Sequence, residues 1–314
     1  MESPERYRGT LLGLAVGDAL GTTLEFKLPG TFTPITDMVG GGPFHLKAGQ
    51  WTDDTSMALC LAESLIECRG FDPVDQLTRY CRWYREGYLS STGVCFDIGG
   101  TTCGALERFE QTHEPFCGST DPGRAGNGSI MRLAPVALFY VQCPREAIEK
   151  AGESSRATHG AQEAIDGCRY LAALLVGALR GVSKVELVSD HFSPVRGLWE
   201  KAPLSPKIAA IASGSFKCKN PPAIRGTGFV VDCLEAALWA FHRSNSFGEG
   251  ALLAVNLGDD ADSTGAVYGQ LAGAYYGESG IPKSWRSKLA QRALIERYAE
   301  NVLALSRSGM RDVS

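Results

Sequence analysis

Apolar residues recur at every third or fourth position through most of the chain, and runs of strict apolar–polar alternation are scarce. That periodicity predicts helices over Pro4–Leu20, Thr55–Cys68, Pro73–Arg85, Thr101–Glu110, Ile130–Val141, Pro144–Arg156 and Gln162–Leu179. It continues over Lys184–Ser189, Ser205–Ser213, Phe229–Ser244, Phe247–Asn256, Ser263–Tyr276 and Ser284–Ser306. The joins are mostly short and carry Gly, Pro, Asn or Asp, as turns require. Two longer Gly-bearing loops, Lys27–Trp51 and Glu114–Asn127, stand apart, and loops of that length are often functional. No Pro/Ser-rich linker or charge block divides residues 1–314, so one all-α domain is expected.

Glycine adds a packing signal to this pattern. Gly9, Gly13, Gly17 and Gly21 recur every four residues and form a bare stripe on one helix, and Gly265, Gly269 and Gly273 repeat it. An interior helical glycine costs up to ~1 kcal/mol of helix propensity, so close backbone approach is the expected compensation. The two helices should therefore meet in the core and align the residues at their ends.

Composition narrows the class without naming an activity. The 314 residues are 44% hydrophobic and 21% charged, which is ordinary for a folded globular chain. The net charge of −4 gives no general attraction to nucleic acid or anionic membrane, and neither partner is expected. The first apolar run is broken by Gly13, Gly17 and Asp18, and Tyr170–Leu179 is too short for a span. The ten cysteines lack any CxxC pair, which suits reduced, mostly buried thiols and a cytoplasmic protein.

The residues with chemistry sit at predicted helix ends. Gln50-Trp51-Thr52-Asp53-Asp54-Thr55 places adjacent carboxylates beside a hydroxyl, a hard-oxygen set suited to Mg²⁺, Mn²⁺ or Ca²⁺. A helix cap complementing the dipole explains the same residues. Gly258-Asp259-Asp260-Ala261-Asp262-Ser263-Thr264-Gly265 crowds three carboxylates that repel unless a cation or water intervenes. It lacks the ligand spread and closing Glu of an EF-hand loop. Two such clusters suggest a binuclear site, with solvated acidic helix starts as the alternative.

Gly126-Asn127-Gly128-Ser129 opens a predicted helix and offers either a phosphate cradle or a turn with a Ser cap. P-loop, Rossmann, GxSxG and HExxH motifs are all missing, and no two histidines stand at i, i+4. His159 lies in a Gly-flanked break between helices. Glu25 and Asp97 each stand between apolar neighbours, a setting that raises a carboxyl pKa when it is buried.

Taken in order, these motifs resemble the ADP-ribosylglycohydrolase family. The resemblance runs from Gly13-Leu14-Ala15-Val16-Gly17-Asp18-Ala19-Leu20-Gly21 through Leu24-Glu25-Phe26, Gly40-Gly41-Gly42, Gly49-Gln50 and Thr52-Asp53-Asp54-Thr55. It continues with Asp97-Ile98-Gly99, Gly126-Asn127-Gly128, Met131-Arg132, Thr158-His159, Asp260–Gly265 and Leu271-Ala272-Gly273. Within the family it looks most like the bacterial branch that removes ADP-ribose from an arginine of dinitrogenase reductase.

The resemblance implies a compact orthogonal helical bundle holding two divalent ions, Mg²⁺ or Mn²⁺. By motif, Thr52, Asp53, Asp54, Asp260, Asp262 and Ser263 would be the ligands. Asn127 with Gly126, Gly128 and Ser129 would hold the pyrophosphate, His159 would contact the nucleotide, and Gly99, Gly100 and Phe229 would face substrate. Asp97 is the leading acid/base and Glu25 the second, with ADP-ribose as product, an ADP-ribosylated protein as partner and a monomer as the working form.

Ser263 stands where the family commonly has Thr, and Asp259 where it has Gly. Gly100 and Phe229 lack the polar groups expected from Asn and Tyr there, departures that bear on the substrate and not on the metal; arginine linkage comes first, with serine, poly-ADP-ribose and nucleic-acid linkages open. A non-catalytic ADP-ribose-binding relative and a metal-dependent phosphohydrolase are the other readings; the complete acidic clusters argue against the former.

Overall fold

In chain order the helices are α1 (Pro4–Gly21), α2 (Asp53–Cys68), α3 (Pro73–Glu86), α4 (Gly100–Thr112), α5 (Ala134–Phe139), α6 (Pro144–Arg156), α7 (Gln162–Leu179) and α8 (Lys184–Leu187). They continue as α9 (Leu198–Lys201), α10 (Pro206–Ala212), α11 (Val230–Arg243), α12 (Phe247–Val255), α13 (Ala261–Gly280), α14 (Lys283–Lys288) and α15 (Arg292–Ser308). This computed structural model describes residues 3–308. Among the described residues, extended pairing is confined to the isolated bridges Gly41–Leu46, Ser119–His159 and Gly126–Phe229, so the fold is all-α. No described helix is long and apolar enough to cross a membrane.

α1 and α13 form the centre. α1 is buried on every side from Gly9 to Gly21, and α13 from Ala261 to Ala274. The two glycine stripes face each other in antiparallel order, as the spacing predicts. A Cβ on Gly17 would lie 1.9 Å from the Gly265 carbonyl oxygen, one on Gly269 2.0 Å from that of Gly13, and one on Gly273 1.9 Å from that of Gly9. Backbone meets backbone there, which recovers the propensity that the glycines lose. Gly17→Ala is therefore expected to destabilise the protein by about 3 kcal/mol or more, read as a lower thermal midpoint. Gly104→Ala, in α4 with nothing within 4 Å of its added methyl, should instead be neutral or slightly stabilising. Equal midpoints for the two variants would contradict the close packing.

Two predicted helices are cut by buried polar contacts. Ile130–Val141 becomes helical only at Ala134, because Gln270 of α13 is inserted before it. The Gln270 amide donates to the carbonyls of Ile130 (3.1 Å) and Met131 (2.7 Å), and its oxygen accepts from Ala134 N–H at 2.7 Å. Residues 127–133 are thus turns, and Gly126–Ser129 does not open a helix. Ser284–Ser306 is divided into α14 and α15 where Ala290 N–H donates to the Gly49 carbonyl at 2.9 Å. The Trp51 indole N–H donates to the Ala290 carbonyl at 3.2 Å, so this stretch serves the long first loop. α9 has no counterpart in the periodicity.

No disulfide forms among the cysteines. Cys60, Cys117, Cys168 and Cys233 are buried, but Cys68, Cys143 and Cys218 are exposed, so the expectation of mostly buried thiols holds for only part of the set.

Candidate active site

Pairing α1 with α13 antiparallel puts the C-terminal end of α1 beside the N-terminal end of α13. Asp18, in the last turn of α1, then reaches the start of α2. Its Oδ1 accepts from the backbone N–H (2.9 Å) and hydroxyl (3.0 Å) of Thr52. Its Oδ2 accepts from the N–H (3.0 Å) and hydroxyl (2.6 Å) of Thr55. One carboxylate thereby caps α2 and fixes the Thr52-Asp53-Asp54 segment against α1. Thr52 Oγ1 is also 3.2 Å from Asp54 Oδ2 and 3.2 Å from Asp262 Oδ2, so the two acidic clusters meet at its hydroxyl. Ser263 Oγ lies 3.5 Å from Asp54 Oδ2. The positive ends of the α2 and α13 dipoles both face this concentration of negative charge.

The carboxylates are buried with too few partners. Asp54 Oδ1, Asp262 Oδ1 and Glu25 Oε2 have no hydrogen-bond partner. Ligand oxygens of Glu25, Asp97 and Asp262 lie within 4.8 Å of one another. Burial above all, then neighbouring carboxylates, raises the pKa of Asp53, Asp54 and Asp262 well beyond the usual carboxylate range. Burial likewise raises Asp18 to about 6 and Asp97 to about 7. Glu25 rises to about 10, through burial and then the charge of Asp97. Orphaned hard-oxygen donors in this density fit divalent cations such as Mg²⁺ or Mn²⁺.

A cavity of about 590 Å³ opens over this cluster. Glu25, Asp53, Asp97, Asp260, Asp262 and Ser263 line it together with Gly99, Gly100, Gly126, Asn127, Gly128 and His159. Asp97 sits there with φ of 61°, a left-handed conformation that Asp tolerates better than bulky residues. Asn127 Nδ2 donates to Asp260 Oδ2 at 2.9 Å and ties the glycine loop to the acidic end of α13. The loop itself is held by backbone pairing, since Asn127 N–H donates to the Gly228 carbonyl at 3.0 Å. Of the two long loops, Lys27–Trp51 reaches the cavity through Phe44, and Glu114–Asn127 reaches it through Gly126 and Asn127.

Thr52 and Asp54 are fully buried behind the lining residues and reach the cluster from below. Ser129 is buried, its hydroxyl oxygen accepting from Ser155 Oγ at 2.8 Å, and its side chain does not line the cavity. No hydrogen bond among the described residues uses the backbone amides of Gly128 and Ser129. Phe229 is 39% exposed and outside the lining, although its neighbour Gly228 belongs to it.

His159 is buried, and burial, followed by the charge of Arg132, lowers its pKa to about 3, so the imidazole is neutral. Several contributors carry no assignment from sequence: Asp18, Arg132, Thr158, and the rim aromatics Phe26 and Phe44, whose ring centroids are 6.5 Å apart. Asp18 had a signal, a lone carboxylate inside an apolar glycine-striped helix. Arg132 and Thr158 had only their place in short motifs.

The ADP-ribosylglycohydrolase family pattern matches residues 2–311. The ADP-ribosylarginine hydrolase Tri1 of Pseudomonas putida is 47% identical over 95% of this chain and 78% of its own length. The ADP-ribosyl-[dinitrogen reductase] glycohydrolase of Rhodospirillum rubrum is 32% identical over 96% of this chain and 97% of its own. A solved ADP-ribosylglycohydrolase-related protein complex contains a chain that superposes with a TM-score of 0.85 at 46% identity, covering 96% of this chain and 98% of that one.

Proposed function

The chain belongs to the ADP-ribosylglycohydrolase family, and from that premise we propose that it is an ADP-ribosylarginine hydrolase, reversing mono-ADP-ribosylation of protein. The observation that carries the reading is one cavity in which both acidic clusters, Glu25, Asp97, the Gly126–Gly128 loop and His159 converge. Its volume of about 590 Å³ lies within the range of small-ligand sites. The higher identity to Tri1 than to the dinitrogen reductase enzyme favours arginine linkage without implicating a nitrogenase component. We read the protein as a cytoplasmic monomer.

Two Mg²⁺ or Mn²⁺ ions would be held by Thr52, Asp53, Asp54, Asp260, Asp262 and Ser263. Bound there, they would supply Lewis-acid polarisation of ribose hydroxyls and a more acidic water. The remaining work belongs to the chain. Hydrolysis breaks the bond between ribose C1″ and a guanidine nitrogen. The electron pair leaves with that nitrogen, which takes a proton, while water adds its oxygen to C1″ and surrenders a proton. Asp97 carries this proton traffic, because its carboxyl lines the cavity and its oxygen lies in one cluster with those of Glu25 and Asp262. Glu25, with ligand oxygens in the same cluster, is the second proton group. Asn127 and the free amides of Gly128 and Ser129 orient the pyrophosphate.

The test is release of ADP-ribose from an ADP-ribosyl-arginine peptide with Mg²⁺ or Mn²⁺, with chelator, and beside a serine-linked peptide. Metal-dependent release of intact ADP-ribose from the arginine peptide is expected. AMP plus ribose phosphate would identify a phosphohydrolase instead. Tight ADP-ribose binding without release from either peptide would make this a binding protein or move it to another linkage.

A further inference from the structure

Behind Gly128 and His159 lies a guanidinium with no exposed surface, that of Arg132. Nη1 donates to the Gly128 carbonyl at 2.6 Å, and Nη2 donates to Thr158 Oγ1 at 2.6 Å. Its other neighbours are Met57 Sδ at 3.7 Å and the Tyr80 ring, 4.6 Å from guanidinium carbon to centroid. None of these partners is a carboxylate, and Nε has no partner at all. A cation buried this way lacks its usual compensation.

The hydrogen bonds have a direction. A guanidinium can only donate, so Thr158 Oγ1 accepts from it. The same oxygen is 2.8 Å from His159 Nδ1. Thr158 Oγ1 makes no other hydrogen bond among the described residues, so its single hydrogen is satisfied only by donating to Nδ1. A hydrogen on Nδ1 would leave the buried hydroxyl hydrogen without an acceptor. The neutral ring therefore carries its one hydrogen on Nε2. That nitrogen faces the glycine loop: a Cβ on Gly128 would stand 3.1 Å from it, and one on Gly126 3.4 Å.

We propose that Arg132, acting through Thr158, locks His159 as the Nε2–H tautomer, so that this N–H donates to a pyrophosphate oxygen of the bound nucleotide. The inference rests on the reading of the cavity as an ADP-ribose site. It adds Arg132 and Thr158 as positioning residues and fixes which imidazole nitrogen meets the ligand. The ligand group is a phosphate because the free Gly128 and Ser129 amides lie in the loop that borders Nε2. The buried guanidinium behind them is the cation that a phosphate would balance.

The experiment needs the full chain labelled with ¹⁵N. Long-range proton–nitrogen correlation reads the His159 tautomer in the wild type, where Nε2–H is expected, so no folding-sensitive variant is required. Thr158→Val, nearly isosteric, should abolish the single-tautomer signature and weaken ADP-ribose binding by about tenfold, while Thr158→Ser restores both. Mn²⁺ affinity should not move in either variant. An Nδ1–H tautomer in a wild type that binds ADP-ribose overturns this inference alone, as does unchanged binding in Thr158→Val. A wild type that does not bind ADP-ribose at all overturns both this inference and the functional reading.

Discussion

Asp97→Asn is expected to lower turnover of ADP-ribosyl-arginine ~10²–10⁴-fold while ADP-ribose affinity stays within about threefold. The substitution keeps the shape of the side chain. Asn also tolerates the left-handed backbone at position 97, where φ is 61°, so the local fold survives. What is lost is a carboxyl that can take up and return a proton at the cavity wall. Single-turnover assays on the peptide, paired with calorimetry on ADP-ribose, separate the two effects. Unchanged turnover would remove Asp97 from the proton chemistry. A deeper loss in Glu25→Gln than in Asp97→Asn would exchange the two assignments.

The metal-free protein should lose stability as pH rises, and a divalent cation should reverse that loss. Asp18, Asp97 and Glu25 have folded pKa values of about 6, about 7 and about 10, all above the ordinary carboxyl range. Asp53, Asp54 and Asp262 are raised as well. A carboxyl that binds its proton more tightly when folded contributes fully below its unfolded pKa, near 4. The contribution disappears as pH climbs through the folded value. Between pH 4 and pH 8, Asp18 and Asp97 alone would remove on the order of 5 kcal/mol. The gap in thermal midpoint between Mg²⁺-loaded and chelated protein should thus widen by roughly 10 °C from pH 5 to pH 8. A gap that is constant, or larger at pH 5, would mean that cations do not replace protons in this cluster.

What could be read from the chain were features with a period or a local density. Gly9, Gly13 and Gly17 forecast a partner helix because a bare stripe has no other use, and Gly265, Gly269 and Gly273 identified it. The acidic segments at 52–54 and 260–263 forecast helix ends, and α2 and α13 begin at Asp53 and Ala261. Hidden were single polar residues whose partners arrive from far along the chain. Gln270 interrupts the helix at 130 across 140 positions, and nothing local signals it. Arg132 and Thr158 follow the same rule through the contact between them, whereas Asp18 showed itself as a carboxylate inside an apolar helix but not its partners Thr52 and Thr55. For Ser129 the sequence did not show which group is available: its hydroxyl is spent on Ser155, leaving its amide toward the loop.

The pairing of α1 with α13 also sets a timetable for synthesis. The touching glycines 17 and 265 are separated by nearly 250 residues, so α1 must wait for α13. Until then it is a glycine-rich segment with weak intrinsic helicity and no partner, and joining the two closes a very long loop. Asp18 cannot bring Thr52 to Asp262 before that closure. A nascent or prematurely terminated chain ending before α13 therefore carries no assembled acidic cluster, and that cluster itself certifies that translation has passed Ser263.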